Sequence, residues 1–418
     1  MGAEFALTMS DATEIVIIGG GIIGAACAAE LSSHGHQVMI LDAGVPRFGT
    51  STANAGHIVV SHSIPFAAPG MVRTGLNSWI RRTGAFAINP RAGLSLMPWL
   101  ASFMRHCTQA NIEQFHDGLH SLLHTTAERI QDLPLDRTPR GLLQIFTGIG
   151  AEKKMRDEVS HLEHLGVDVV ARNISDVRVA EPILTDAVQA ALELPHDFGL
   201  DPQSLWALLK AHALAHGAVW QAPASAVHIT AQGKHFSIHT PAGPIIAERV
   251  IIAAGVWTSD FTREFGTRLP LLAAKGYSVT LPNCEVMPNR PMLLAHQYTA
   301  VDPLAVGLRM SARFELTSPH DRSVPQQRIS HLIERARTAL HLPRTLQHTS
   351  PWSGLRPASA DGAPYIGHLP NHPKIVIATG HGMLGTSLSL GTADLIRRIV
   401  EDKPISAAES RFTPARVH

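Results

Sequence analysis

Lysine, tyrosine and cysteine are all scarce in this chain. Only seven of its 35 basic residues are lysine, and against 34 acidic residues the formal charge is just +1. That balance excludes a protein whose main work is gripping a polyanion such as nucleic acid, which needs a basic excess gathered on one face. The three cysteines, Cys27, Cys107 and Cys284, are odd in number, widely spaced and without a CxxC pair. A disulfide scaffold and a cysteine-based zinc site are therefore not expected. No HExxH or similar spacing occurs, so no metal site is expected either. No apolar run reaches the roughly 18 residues that a membrane helix needs. Residues 1–8 lack the basic and apolar regions of a secretory signal. Met9-Ser10-Asp11 reads as the more natural start, with 1–8 an added leader. The expectation is a cytoplasmic protein.

What remains is ordinary globular material. With 418 residues, 45% of them hydrophobic, the chain is long enough for two or three domains with real cores. There is no tandem repeat and no low-complexity linker. Histidine is abundant at 25, so the charge climbs as pH falls through about 6.5.

The first informative pattern is near the N-terminus. Glu14 to Ile18 reads as a short buried strand, Gly19-Gly20-Gly21-Ile22-Ile23-Gly24 as a glycine turn, Ala25 to His34 as a helix, and Gln37 to Leu41 as a second strand. The glycines at 19, 21 and 24 form GxGxxG. The first makes the tight turn, the second lets a pyrophosphate approach the backbone, and the third lets helix pack on strand. The helix start beyond them offers unpaired N–H groups to phosphate. Asp42, followed by Ala43, closes the second strand, eighteen residues after Gly24. A carboxylate there accepts hydrogen bonds from ribose and repels a 2′-phosphate, favouring FAD or NAD over NADP. The alternative is an ordinary solvated strand-end Asp.

Further along, Gly49 to Gly56 is a loop of small and hydroxyl residues, with Ser51, Thr52, Asn54, Ala55 and Gly56 able to bring backbone N–H groups against a flat ring. Helices are predicted over Ala110–Leu133, Lys153–Leu165 and Pro202–His216, the last opened by Asp201 as N-cap. Val250 to Gly255 reads as a buried strand, Leu269 to Thr317 as strands, and Pro373 to Val400 as strand, glycine turn and helix. The apolar Pro65–Phe103 segment is a candidate membrane-facing or quinone-facing surface, with substrate-domain core as its alternative.

Two C-terminal blocks make the pattern specific. These are Trp352-Ser-Gly-Leu-Arg356-Pro, running on to Asp361-Gly-Ala-Pro-Tyr-Ile-Gly367, and Gly380-His-Gly-Met-Leu-Gly385-Thr386. With the 51–56 loop, Pro65–Gly70 and Lys275-Gly-Tyr-Ser278, they occur in the order seen in the D-amino acid oxidase superfamily of FAD-dependent oxidoreductases. The chain resembles that family over roughly residues 13 to 416, and within it the bacterial D-amino acid dehydrogenases most of all.

That resemblance implies an α/β fold: a Rossmann-like FAD-binding domain (13–80, 199–262 and 352–410) interleaved with an antiparallel-sheet substrate domain (81–198 and 263–351). It implies non-covalently bound FAD, a small amino-acid substrate that gives a hydride from its α-carbon to flavin N5, and a quinone or other electron acceptor. A D-proline or hydroxyproline derivative is one candidate substrate. A glycine- or sarcosine-type oxidase and a flavin subunit of a heteromeric dehydrogenase are the competing readings.

Arg356 matches the family position whose guanidinium binds the substrate carboxylate, a task that suits its planar fork; a structural pairing with Asp361 is the alternative. Lys275 and Tyr277 are implied on the substrate-side wall, with a strand-edge lysine as the alternative for Lys275. His57 falls near the flavin. Ala254, Gly255 and Trp257 resemble the second FAD contact, Val227 the adenine contact, and Gly354 flanks the clamp. The turn carrying Gly382, Met383, Leu384, Gly385 and Thr386 is expected to present N–H groups to the flavin N1–C2=O edge. Related glycine oxidases carry an arginine in this turn and this chain does not, which points away from oxygen as the acceptor.

Overall fold

A computed structural model describes residues 12–44, 50–80, 86–89, 96–282, 284–295, 297–344, 347–348 and 351–417. The leader expected over 1–8 and Gly49 lie outside the described residues.

The strand Thr13–Ile18, the helix Ile22–Ser33 and the strand Val38–Leu41 form the expected βαβ unit, with the two strands parallel. Thr13–Ile18 is flanked on its other side by Gly243–Ile252, whose last residues pair in parallel with His372–Thr379. The hairpin strands His228–Gln232 and His235–Thr240, the short Val219–Gln221 and the strand Tyr365–Leu369 complete this first sheet. Alternation along Thr13–Ile18 sends Ile15 and Ile17 into one core and Val16 and Ile18 into another. A parallel strand buried on both faces must read as a continuous apolar run, which is what this stretch is.

A second, mostly antiparallel sheet runs in the order Trp352–Ser359, Leu271–Leu281, Gly307–Thr317, Thr299–Leu304, Met292–Leu294, Leu142–Thr147, Val188–Leu194 and Val170–Arg172, with Phe86–Ile88 beside Gly307–Thr317. Two segments cross the division that the resemblance implies. Trp352–Ser359 is an end strand of the second sheet rather than part of the nucleotide-binding half. The helix Gln109–Gln131 sits in the same core as the first sheet, through Phe115, Leu119, Leu122 and Ile130. Both follow from the same cause: an apolar face shows that an element packs, and not against which sheet.

The predicted helices appear as Gln109–Gln131, Ala151–His164 and Pro202–Ala215. Asp201 caps the last, its carboxylate accepting from the Ser204 N–H at 3.1 Å. In the 65–107 segment, Trp99 and Phe103 are buried beside Phe314 and Leu316 of the second sheet, and the Trp99 indole donates to the Ala358 carbonyl at 3.1 Å. Its aromatic side is therefore core, while Met97 and Met104 stay exposed. No described helix is long and apolar enough to cross a membrane.

The closest backbone approach in the nucleotide half is at Gly24, where a Cβ would lie 1.9 Å from the Gly19 carbonyl oxygen. Backbone cannot yield as a flexible side chain can. Gly24→Ala is expected to lower stability by about 1–3 kcal/mol through overpacking and to reduce retained FAD. Thermal melting and the ratio of visible to ultraviolet absorbance of the purified protein check both.

Candidate functional site

The glycine turn has the geometry of a phosphate cradle. Gly19 has φ +105°, and a Cβ there would strike the Ala253 carbonyl oxygen at 2.5 Å. Gly21 caps the helix with extended backbone and no side-chain cap, so the first-turn N–H groups aim out of the helix end. One of them, from Ile22, donates to Ser51 Oγ at 2.8 Å, which brings the 51–56 loop onto the turn; Ile23 is buried behind it. Asp42 follows the strand Val38–Leu41 beside this turn. A Cβ on Gly20 would lie 2.5 Å from both Asp42 Oδ2 and Trp220 Cζ2. The Gly44 N–H donates to Asp42 Oδ1 at 3.1 Å, beyond the exposed Ala43.

Segments far apart in sequence converge here. Ala254 and Gly255 follow the strand Gly243–Ile252, with Trp257 in the short turn behind them. Thr379 Oγ1 donates to the Gly255 carbonyl at 2.9 Å, tying this corner to the C-terminal turn. Asn54 Nδ2 donates to Thr386 Oγ1 at 3.2 Å, and Asn54 Oδ1 accepts from the Gly56 N–H at 2.9 Å. Thr52 and Ala55 lie within this loop. Gly56 has φ +88° and packs on the Leu200 carbonyl. Ser387, which the sequence reading missed, bridges the two segments, donating to the His57 carbonyl at 3.0 Å and accepting from the Val59 N–H at 3.1 Å. Gly255 and Gly382 both have positive φ, and a Cβ on either would meet no heavy atom within 4 Å. Their backbones border open space. A phosphate cradle joined to a small-residue loop and open glycine corners fits FAD.

Three expectations need correction or refinement. The α-helix after the C-terminal turn starts only at Ser389. Within the turn the Gly382 and Leu384 N–H groups are already committed to the Pro357 and His381 carbonyls, at 3.0 and 2.9 Å. Met383 is exposed, and Gly385 lies near the His381 side chain. His381 itself is buried, which pushes its pKa down to about 3, and its neutral ring meets Thr392 Oγ1 at 3.1 Å. Val227 is 62% exposed and its N–H donates to the His239 carbonyl, leaving only its carbonyl for an adenine contact.

The largest departure concerns Lys275 and Tyr277. Leu271–Leu281 and Trp352–Ser359 are antiparallel, with Ala274 opposite Arg356, Gly276 opposite Gly354 and Ser278 opposite Trp352. Directly opposed residues share a face and successive residues alternate. Arg356 and Gly354 therefore share one face, and Lys275 and Tyr277 lie on the other, with Tyr277 in the core of the second sheet. Lys275 is fully buried, 2.8 Å from Asp321 Oδ2 and donating to the Ser323 carbonyl at 2.9 Å. Tyr277 Oη is 3.5 Å from Glu315 Oε2. Burial would raise the Asp321 carboxyl, but hydrogen bonds from Lys275, Ser323 and Thr317 outweigh it and hold it well below the usual range.

Arg356 faces the cofactor side. Its guanidinium lies flat over Gly276, so close that a Cβ there would sit 2.5 Å from Cζ and both Nη atoms. The alternative partner, Asp361, is bonded instead by Arg416 Nε at 2.7 Å. Arg356 keeps some solvent contact yet lies deep enough that burial pulls its pKa to about 10. It stays charged at neutral pH, and its charge is weakly screened.

The same face carries a charged network that the sequence did not reveal. Arg309 lies opposite Asp302, 3.4 Å from the Asn54 carbonyl and 3.5 Å from Asp201. His57 Nε2 is 2.9 Å from Asp302 Oδ2, and Asp302 is fully buried. Burial alone would lower the His57 pKa, but Asp302, Asp197 and the Val301 backbone together outweigh it and the pKa is raised. Burial raises Asp302 and lowers Arg309. His57 thus joins the cofactor loop to the second sheet. Several other histidines, His116, His120, His124 and His196, line a separate surface cleft of about 890 Å³. Among the described residues, no group of three or more His, Cys, Asp or Glu could hold a metal ion.

The two faces of the sheet predict different consequences for its two cations. Lys275→Met removes one partner of a buried pair and is expected to cost about 3–5 kcal/mol of stability. Because it points away from Arg356, the affinity for a small carboxylate should stay within about threefold. The depressed Asp321 pKa adds stability that is present above the normal carboxylate pKa and lost as pH falls below it. The variant should lose that acid-side slope, as read from melting curves between about pH 3 and 7.

Comparison with known proteins agrees with this geometry. Residues 14–399 match the family described as FAD dependent oxidoreductase, DAO. A D-amino acid dehydrogenase of Bradyrhizobium diazoefficiens is 26% identical, covering 96% of this chain and 98% of its own. One from Rhizorhabdus wittichii is 27% identical over 93% of this chain and 96% of its own. Among solved structures, glycine oxidase from Geobacillus kaustophilus superposes with a TM-score of 0.73 at 22% identity, covering 96% of this chain and 98% of that one. L-proline dehydrogenase from P. horikoshii superposes with a TM-score of 0.71 at 16% identity, covering 97% and 98%. The chain belongs to the DAO family of FAD-dependent oxidoreductases.

Proposed function

We propose that this enzyme oxidises a D-amino acid at its α-carbon, a cyclic one such as a D-proline or hydroxyproline derivative included, and passes the electrons to a quinone or another acceptor. The observation that carries this reading is the Arg356 guanidinium, held on the cofactor-facing side of the second sheet and deep enough to be weakly screened. The names of the relatives that align along almost the whole chain support the substrate class.

FAD, when bound, supplies the two-electron acceptor that takes the α-carbon hydride at N5. The protein's own part is positional. Arg356 is suited to grip the carboxylate with two parallel N–H···O bonds, fixing the α-carbon relative to the cofactor loop. The substrate amine must be neutral before the hydride leaves. Since Cα–H departs with its electron pair, no strong base is needed to remove it. The product is an imino acid, which water converts to a 2-oxo acid when the amine is primary. The His57–Asp302 contact keeps the 51–56 loop against the second sheet, and the Asn54–Thr386 bond keeps it against the C-terminal turn.

A glycine- or sarcosine-type oxidase is the competing reading, favoured by the structural likeness to a glycine oxidase. The lack of an arginine among residues 380–385 weighs against it. A flavin subunit acting only as an electron relay would not need a carboxylate clamp, and Arg356 counts against it.

A dye-linked screen of D- and L-amino acids, proline derivatives and N-methylglycines should find turnover with a D-amino acid. Anaerobic reduction followed by slow reoxidation in air and fast reoxidation by a quinone analogue is the expected outcome; fast reoxidation in air would favour the oxidase. Arg356→Ala should lower kcat/KM by about 2–5 kcal/mol equivalent, roughly 30-fold to several-thousandfold, with FAD content unchanged. Undiminished turnover in that variant would rule out the clamp.

A further inference from the structure

Gly276 and Gly354 stand directly opposite one another in the middle of the antiparallel pair that carries Arg356. Neither has positive φ, so the backbone conformation at these positions is open to any residue. Glycine inside a strand weakens it, and two face to face need a reason. The reason is space. A Cβ on Gly276 would collide with the Arg356 guanidinium at 2.5 Å, and one on Gly354 with the Trp352 indole at 2.2 Å from Cη2 and 2.6 Å from Cζ2. The missing side chains let two flat groups lie down on the sheet. Positions directly opposite in such a pair are roughly 5 Å apart, so the guanidinium and the edge of the indole lie side by side. Thr50, at the start of the cofactor loop, borders the same space, its Cγ2 2.9 Å from the imagined Gly354 Cβ.

Resting on the carboxylate role of Arg356 given above, we propose that Trp352 is the specificity-determining wall of the substrate's side-chain subsite, and that Gly276 and Gly354 are positioning residues setting the height of clamp and wall. A carboxylate gripped by the guanidinium places its α-substituent beside the indole. The flat aromatic surface favours a compact apolar side chain, a ring included. A cationic side chain, which an indole face alone would attract, is disfavoured by the guanidinium next to it.

The test uses the FAD-loaded enzyme with propionate as a simple carboxylate probe, read by perturbation of the flavin spectrum, alongside steady-state kinetics. Gly276→Ala should weaken propionate binding and raise KM by roughly tenfold to a hundredfold, with a smaller change in kcat. In an Arg356→Ala background the added Cβ has room, so Gly276→Ala should then change propionate binding no further; this double variant also remains informative if Gly276→Ala alone fails to fold. Trp352→Leu should leave propionate affinity within about threefold while shifting the ratio of kcat/KM for D-proline over D-lysine by roughly tenfold or more. Unchanged propionate affinity in Gly276→Ala, or additive effects of Gly276→Ala and Arg356→Ala, would overturn the positioning role. An unchanged substrate ratio in Trp352→Leu would overturn the wall. If wild-type enzyme turned over no amino acid, the proposed function would fail, while the propionate experiments would still decide the glycine shelf.

Discussion

The site depends first on the register between Leu271–Leu281 and Trp352–Ser359. Slipping one strand by a single residue turns every side chain to the opposite face. Arg356 would then point into the core that holds Tyr277, and the buried Lys275–Asp321 pair would lose its packing context. The two faces of this pair are chemically incompatible, so the register is strongly specified. One has Gly276, Gly354, Ser278 and Arg356 turned to the cofactor loop. The other has Tyr277, Val279 and Leu281 packed on Ile329 and Leu332.

Around this sheet the cofactor region is assembled by short polar ties between segments that are distant in the chain. Asn54 reaches Thr386, Ser387 reaches the backbone on either side of Ile58, Thr379 reaches Gly255, and Arg309 reaches the Asn54 carbonyl. Each bond satisfies a group that close packing would otherwise leave unpaired, and together they set the loop against the sheet. His57 and Asp302 add a buried contact to the same seam, in which the desolvation of Asp302 is only partly offset by His57 and Arg309.

Much of the nucleotide half was legible from sequence because its signals are local. Gly19, Gly21 and Gly24 answer to backbone clearances a few residues away, and Asp201 caps the helix that begins beside it. Arg356 could be singled out from the motif that contains it, although not the face of the sheet it would occupy. The misreadings were of another kind. Lys275 lies in the strand that the resemblance implied as the substrate-side wall; alternation along that strand sends it to the face opposite Arg356. Asp302 and Arg309 left no sequence signal, because their pairing with each other and with His57 exists only across strands.

By itself, then, the sequence determined the family, the cofactor cradle, the helix starts and the chemical types available to the site. These follow from interactions within a few residues, or from motifs whose order along the chain is itself diagnostic. Tertiary structure alone decided which face of the second sheet meets the cofactor, which cations are structural, and that Trp352–Ser359 joins that sheet. Those outcomes depend on strand register and on which apolar surfaces meet, and both are set by contacts between residues far apart in the chain.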